Sequence, residues 1–183
     1  MAIDIRIRPR EASDLPALST VLMGQQPETR YPFRSPLPIP VEDFLHAHDA
    51  VRAWTAELDG RPVGHVCRTR PAHGFADAEL LNEVCAGEYR CDVDDLTWVN
   101  SLFVATEARR TGAGRRLLEA AVDDARTEAL RPCLEVLPVH PAAISLYLAS
   151  GWQIVHRFRP HWLHAATEPD APEVHVMVHG PSA

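Results

Sequence analysis

Apolar positions follow two different periods along this chain, and the changeover falls just after Val104. Thr97 to Val104 is rich in β-branched and aromatic residues, as strands are. From Gly114 onward the apolar positions are Leu117, Leu118, Ala121, Val122 and Ala125, a helical stripe with polar residues on the opposite face. Upstream, Asp4 to Arg8 alternates isoleucine with charge and predicts a half-buried first strand. Ser13 or Asp14 can cap a helix through Met23, with Leu15, Leu18, Val21 and Leu22 facing inward. Gln25 to Pro40 holds five prolines and predicts a loop or extended arm, followed by a short helix over Val41 to His48. Val51 to Leu58 and Pro62 to Arg68 flank Asp59-Gly60, a hairpin dipeptide. Phe75 to Glu88 predicts an inserted helix ahead of the strand at Thr97.

Downstream, Cys133 to Val139 is a second apolar strand. Pro141 suits the first turn of the helix that follows, and Gly151 its C-terminal cap. Gln153 to Phe158 and Glu173 to Val178 read as the last two strands, with a loop over Glu168 to Pro172 between them. The order predicts an α+β fold: a mixed, mainly antiparallel central sheet around a parallel strand–helix–strand core with a right-handed crossover.

Composition narrows the class. The 183 residues are expected to form one domain, 1–183, with an adequate core. No apolar run reaches membrane-spanning length, and the N-terminus lacks the form of a signal peptide, so the expectation is a cytoplasmic protein that binds no membrane. Cys67, Cys85, Cys91 and Cys133 show no metal-binding spacing and read as reduced thiols. His46, His48, His161 and His164 lack ligand partners at suitable spacing, so no metal is expected. All 18 basic residues are arginine, and the net charge of −7 argues against nucleic acid as the main partner.

The turn between strand and helix carries the chemistry. Gly112 and Gly114 sit where the turn becomes a helix, so an anion can approach unpaired N–H groups closely. Arg109, Arg110, Arg115 and Arg116 add positive charge to what is in effect a phosphate cradle. A P-loop is excluded, because it needs a lysine and the chain has none. A dinucleotide fingerprint is excluded too: Leu117 stands at its third glycine and the turn is too long.

Arg109-x-x-Gly112-x-Gly114 after a strand ending in Leu-x-Val resembles the acetyl-CoA pyrophosphate loop of the GNAT-type N-acetyltransferase superfamily. Ala143, Leu146, Tyr147 and Gly151 match a second family stretch, with His140 in place of the usual Asn and Trp152 in place of the usual Phe. Thr106 stands where a proline is usual. The match is best from about Thr97 to Trp152.

The resemblance implies acetyl-CoA as co-substrate and a primary amine as acceptor, attacked directly in a ternary complex. Backbone groups of Leu102, Phe103 and Val104 would hold the pantetheine and polarise the thioester carbonyl. Those of Arg109, Arg110, Thr111, Gly112, Ala113, Gly114 and Arg115 would bind the pyrophosphate, and His140 and Ala143 would extend the cofactor contacts. Tyr147 lies where the family keeps its general acid. The strand carries Asn100 and Ser101, not the carboxylate of some relatives, so Asp94 and Asp95 just ahead of it, or Glu83 in the insertion, are the candidate bases, acting through water. A neutral amine with no dedicated base stays open as well. Asp77 to Asp95 holds seven acidic residues against Arg90, a local charge of −6, and is expected to favour a small cationic amine. Relatives of this kind are often homodimers. The other reading is a non-enzymatic module that binds acyl-CoA as a sensor or docks a partner.

Overall fold

The computed structural model describes residues 4–164 and 173–180. In chain order its elements are β1 (Ile5–Pro9), α1 (Leu15–Thr29), α2 (Val41–His46), β2 (Ala50–Leu58), β3 (Arg61–Thr69), α3 (Ala78–Tyr89), β4 (Leu96–Val104), α4 (Ala113–Thr127), β5 (Arg131–Val136), α5 (Pro141–Ala149), β6 (Trp152–Phe158), α6 (His161–His164) and β7 (Val174–His179). The loop expected over Glu168 to Pro172 lies outside the described residues. The strands form one seven-stranded sheet in the order β1-β2-β3-β4-β5-β7-β6. β4 and β5 pair in parallel, Leu96 to Trp98 against Arg131 to Cys133, while the β1–β2, β2–β3, β5–β7 and β6–β7 pairs are antiparallel. This is the α+β, mainly antiparallel sheet that the sequence pattern predicts. No helix among the described residues is long and apolar enough to cross a membrane.

The chain divides into two compact units, Met1–Thr69 with Val99–Asp124, and Arg70–Trp98 with Ala125–Ala183. In the first, Leu15, Leu18 and Leu22 of α1 pack with Leu45 of α2 and Phe103 of β4. The β2–β3 hairpin turns at Asp59 and Gly60, both at positive φ (50° and 76°), the primed geometry that matches strand twist. Arg68 is fully buried and donates to Asp124 at 2.9 and 2.6 Å, which anchors α4 on β3.

Two details of the first unit depart from the sequence reading. Helix α1 does not stop at Met23 but runs through Pro27 to Thr29. Proline removes one hydrogen bond and crowds the preceding turn. Here it stands in the last turn, and the helix closes three residues later at Arg30, left-handed with φ 56° and its N–H on the Gln26 carbonyl at 2.7 Å. Nor does Asp14 cap α1. Its carboxylate accepts from the Glu11 N–H (2.9 Å), from Arg8 (2.7 and 2.8 Å) and from the Thr55 hydroxyl (2.9 Å). A short 3-10 turn, Ala12–Asp14, precedes the helix instead.

In the second unit, Leu81, Cys85 and Ala86 of α3 pack on Leu96, Trp98, Cys133, Val176 and Val178. Asn82 is buried and satisfied: it exchanges hydrogen bonds with Ala72 (3.0 and 2.8 Å) and accepts from the Trp98 indole at 3.0 Å. The Tyr89 hydroxyl donates to the Pro132 carbonyl at 2.7 Å and accepts from the His179 N–H at 2.8 Å, which seats the end of α3 on β5 and β7. All four cysteines are free thiols, and Cys67, Cys85 and Cys133 are fully buried.

Candidate functional site

The last residues of β4 and the turn after them belong to the first unit. Ser101 interrupts the extended strand with φ +53°, a left-handed conformation inside β4. Beyond Val104 the chain makes a 3-10 turn at Thr106–Ala108, then Arg110 at φ +65° and Gly112 at φ +89°, and enters α4 at Ala113. A side chain at Gly112 would meet nothing within 4 Å, so the space over the turn is open. The Gly112 carbonyl accepts the Arg116 N–H at 3.0 Å and so opens the helix. The N–H groups of the first turn have no carbonyl behind them. Thr111 braces the turn by donating to the Ala108 carbonyl at 2.7 Å. Leu102 and Val104 are half-buried and Phe103 is buried.

The four arginines are not equivalent. Arg109 donates to Gln25 at 2.9 Å and to Glu28 at 3.4 Å, both on the extended end of α1. Arg116 donates to the Ile5 carbonyl. Arg110 and Arg115 are exposed and have no ion pair or hydrogen bond among the described residues. Of the charge counted in the sequence, two guanidiniums are struts and two remain available to an anion.

The second unit holds Tyr147, Glu135 and the acidic segment. On α5, His140 is the N-terminal flanking residue and its carbonyl accepts from the Ala143 and Ile144 N–H groups at 3.1 Å; both His140 and Ala143 are half-buried. Tyr147 is buried, and its ring lies 6.1 Å from that of Trp152. Its hydroxyl makes no hydrogen bond among the described residues, and burial pushes its pKa up, so it keeps its proton through neutral pH. The Trp152 indole N–H, also buried, has no partner among the described residues.

Asp94 and Asp95 lie in the exposed 3-10 turn Val93–Asp95. The Asp95 carboxylate accepts the Asp92 N–H at 3.3 Å and so closes that turn. Glu83 is on the exposed face of α3. Asp77 accepts the His161 N–H at 2.7 Å. Glu135, in the middle of β5, was not among the sequence candidates. It is half-buried, opposite Val176 of β7, and no cation or hydrogen-bond donor sits on it among the described residues. Burial first, and the Asp77 carboxylate second, push its pKa from 4.5 up to about 7. The signal in the sequence is a lone carboxylate inside the apolar run Cys133-Leu-Glu-Val-Leu137. No group of three or more His, Cys, Asp or Glu among the described residues is arranged to hold a metal ion.

The sequence model of the family described as "Acetyltransferase (GNAT) family" matches residues 18–152. No curated protein gives a significant sequence match. Among solved structures, the chain is similar to the ribosomal-protein-S18-alanine N-acetyltransferase from Escherichia coli: 17% identity, 98% of this chain and 96% of that chain covered, TM-score 0.65. It is similar to the ribosomal-protein-alanine N-acetyltransferase from Brucella melitensis, at 18% identity over 94% of this chain and 98% of that one, TM-score 0.68. It is also similar to yncA, a putative acetyltransferase from Salmonella typhimurium solved with acetyl-CoA, at 14% identity over 97% and 94%, TM-score 0.70. At these identities the likeness is one of fold.

Proposed function

Because the chain belongs to the GNAT acetyltransferase family, we propose that it is an acetyl-CoA-dependent N-acetyltransferase that acetylates a primary amine by direct attack with both substrates bound. The turn before α4 fits a pyrophosphate: open space over Gly112, a helix start, and guanidiniums at Arg110 and Arg115 that are unpaired among the described residues. Backbone groups from Arg109 through Thr111, Ala113 and Gly114 to Arg115 would take the phosphate oxygens. Leu102, Phe103 and Val104 would hold the pantetheine, and His140 and Ala143 would complete the cofactor contacts. Arg109 is a strut in this reading, contributing its backbone.

One observation favours an enzyme over a binding module. Glu135 is a half-buried carboxyl with no cation on it among the described residues, pushed up to about 7, and carboxyls tuned in this way cluster at catalytic sites. A primary amine with an ordinary pKa of roughly 10.4 arrives protonated at neutral pH. A carboxylate would take that proton through water, Asp94 or Asp95 ahead of β4 or the half-buried Glu135. The nitrogen then bonds to the carbonyl carbon and the carbon–sulfur bond breaks. Tyr147 supplies the proton that the departing sulfur needs. The nitrogen's second proton makes that good through solvent, so one proton is released per transfer.

The acidic run from Asp77 to Asp95 supports a cationic acceptor. The test is release of free thiol from acetyl-CoA against a panel of primary amines, from small polycations to peptides with a free N-terminal alanine. Amine-dependent release is the expected result. Tight binding of acetyl-CoA with no release for any amine would favour the acyl-CoA-binding module instead.

A further inference from the structure

The left-handed residue inside β4 is held by a side chain that the proposed chemistry leaves unused. Ser101 sits at φ +53°, a conformation that costs energy for any residue with a Cβ and persists only where neighbours enforce it. The neighbours are on β3. Cys67 donates weakly to the Asn100 carbonyl at 3.6 Å, and Asn100 donates to the Thr69 hydroxyl at 2.9 Å. Gly64 leaves room for the Phe103 carbonyl, which would lie 3.0 Å from a side chain there. Between them the imidazole of His65, fully buried, places Nδ1 3.0 Å from the carbonyl of Ser101 itself.

The tautomer of His65 follows from its partners. Nε2 lies 3.2 Å from Nη1 of Arg10, and a guanidinium can only donate. Nε2 is therefore the acceptor, and the ring proton is on Nδ1, donated to Ser101. Burial, with the Arg10 charge beside it, holds the imidazole down to about 4, so it stays neutral across the working range. Arg10 is itself fixed, donating to the carbonyls of Leu45 and His46 where α2 ends. The Phe103 ring, 5.8 Å from the imidazole, completes the packing.

We propose that His65 is a positioning residue for acetyl transfer: its Nδ1–H, set by Arg10, holds the Ser101 carbonyl and thereby aims the N–H at the other end of the same peptide, that of Leu102. The inference rests on the reading above in one respect, that this N–H faces a thioester carbonyl whose oxygen gains charge. In such a site aim matters more than affinity. A histidine that merely filled the core would leave turnover and cofactor affinity linked to stability alone.

Two variants separate the arms of the imidazole. His65→Asn keeps an amide N–H near the Nδ1 position, and His65→Gln keeps an acceptor for Arg10 while losing the donor to Ser101. The Asn variant is expected to hold turnover within about threefold of the parent. The Gln variant should lose turnover roughly 10- to 100-fold with the KM for acetyl-CoA nearly unchanged. Adding Ser101→Gly to His65→Gln should restore part of the loss, because glycine adopts positive φ unaided. Amide hydrogen exchange at Leu102 and Phe103 reads the strand without any turnover. Faster exchange in the Gln variant than in the Asn variant is expected even if no amine is ever acetylated, which keeps this inference separable from the functional reading. Equal turnover and equal exchange in the two variants, or a loss in the Gln variant that Ser101→Gly fails to relieve, overturns it.

Discussion

Replacing Glu135 with glutamine tests both the fold and the proposed chemistry, because the same carboxyl is costly to the one and a proposed base in the other. Burial and Asp77 raise its pKa from 4.5 to about 7. At about 1.36 kcal/mol per pH unit, ionising it in the native state costs at most roughly 3 kcal/mol. Part of Glu135 remains accessible, so screening by solvent trims this to about 1–2 kcal/mol. The sign is that of an acid with a raised folded-state pKa. Below pH 4.5 the carboxyl is protonated in both folded and unfolded chains and costs nothing. Between 4.5 and about 7 the unfolded chain ionises first, so the parent loses stability as pH rises. Above 7 the full cost is present. Glu135→Gln, neutral throughout, should match the parent in urea midpoint near pH 4.5 and exceed it at pH 8, with a melting temperature higher by about 3–6 °C. Its turnover should fall by about 100-fold or more, and the acid limb of kcat/KM near pH 7 should vanish. A stability difference that does not change between pH 4.5 and 8, or an acid limb that survives the substitution, would refute this account of Glu135.

Gly112→Asp places a carboxylate over the turn where phosphate oxygens would sit; the fold should be retained and the thermal stabilisation by coenzyme A lost, and unchanged stabilisation would remove the site. Tyr147→Phe keeps the ring and removes only the donor, so turnover should fall about 10- to 1000-fold at nearly constant cofactor affinity. A loss explained wholly by weaker binding would return Tyr147 to packing. Neutralising Asp92, Asp94 and Asp95 together should raise the KM for cationic amines at low salt while leaving that for acetyl-CoA alone. An unchanged ratio of cationic to neutral acceptors would make the patch solvated surface.

The strand–turn–helix from Leu96 to Thr127 was legible because its period changes once, at a pair of glycines, and local chemistry dictates each part. The α5 helix was legible for the same reason, with Pro141 at its start and Gly151, at φ +85°, just past its end. What escaped the sequence was decided by tertiary contact. Pro27 reads as a breaker, yet Gln25 and Glu28 continue α1 past the expected stop and reach Arg109 across more than eighty residues of chain. The spacing along the chain that nominates Asp94 and Asp95 says nothing of burial, which is what raises the pKa of a carboxyl. Glu135 acquires that burial only when β5 pairs with β7. The separation of four arginines into two struts and two cations that are free among the described residues depends on partners at Ile5, Gln25 and Glu28, which no spacing within the turn encodes.

The burial of the cysteines has a consequence for the bench. Cys67, Cys85 and Cys133 are sealed from solvent, and burial pushes the Cys67 thiol up to about 12 and those of Cys133 and Cys91 upward as well. Nucleophilic attack on a chromogenic disulfide needs thiolate at an accessible surface. The folded protein is therefore nearly silent to such a dye on the time scale of turnover, and only partly covered Cys91 contributes a slow background. Coenzyme A set free in the reaction would be read against a dark protein, and a sudden release of colour with no acceptor added would report unfolding.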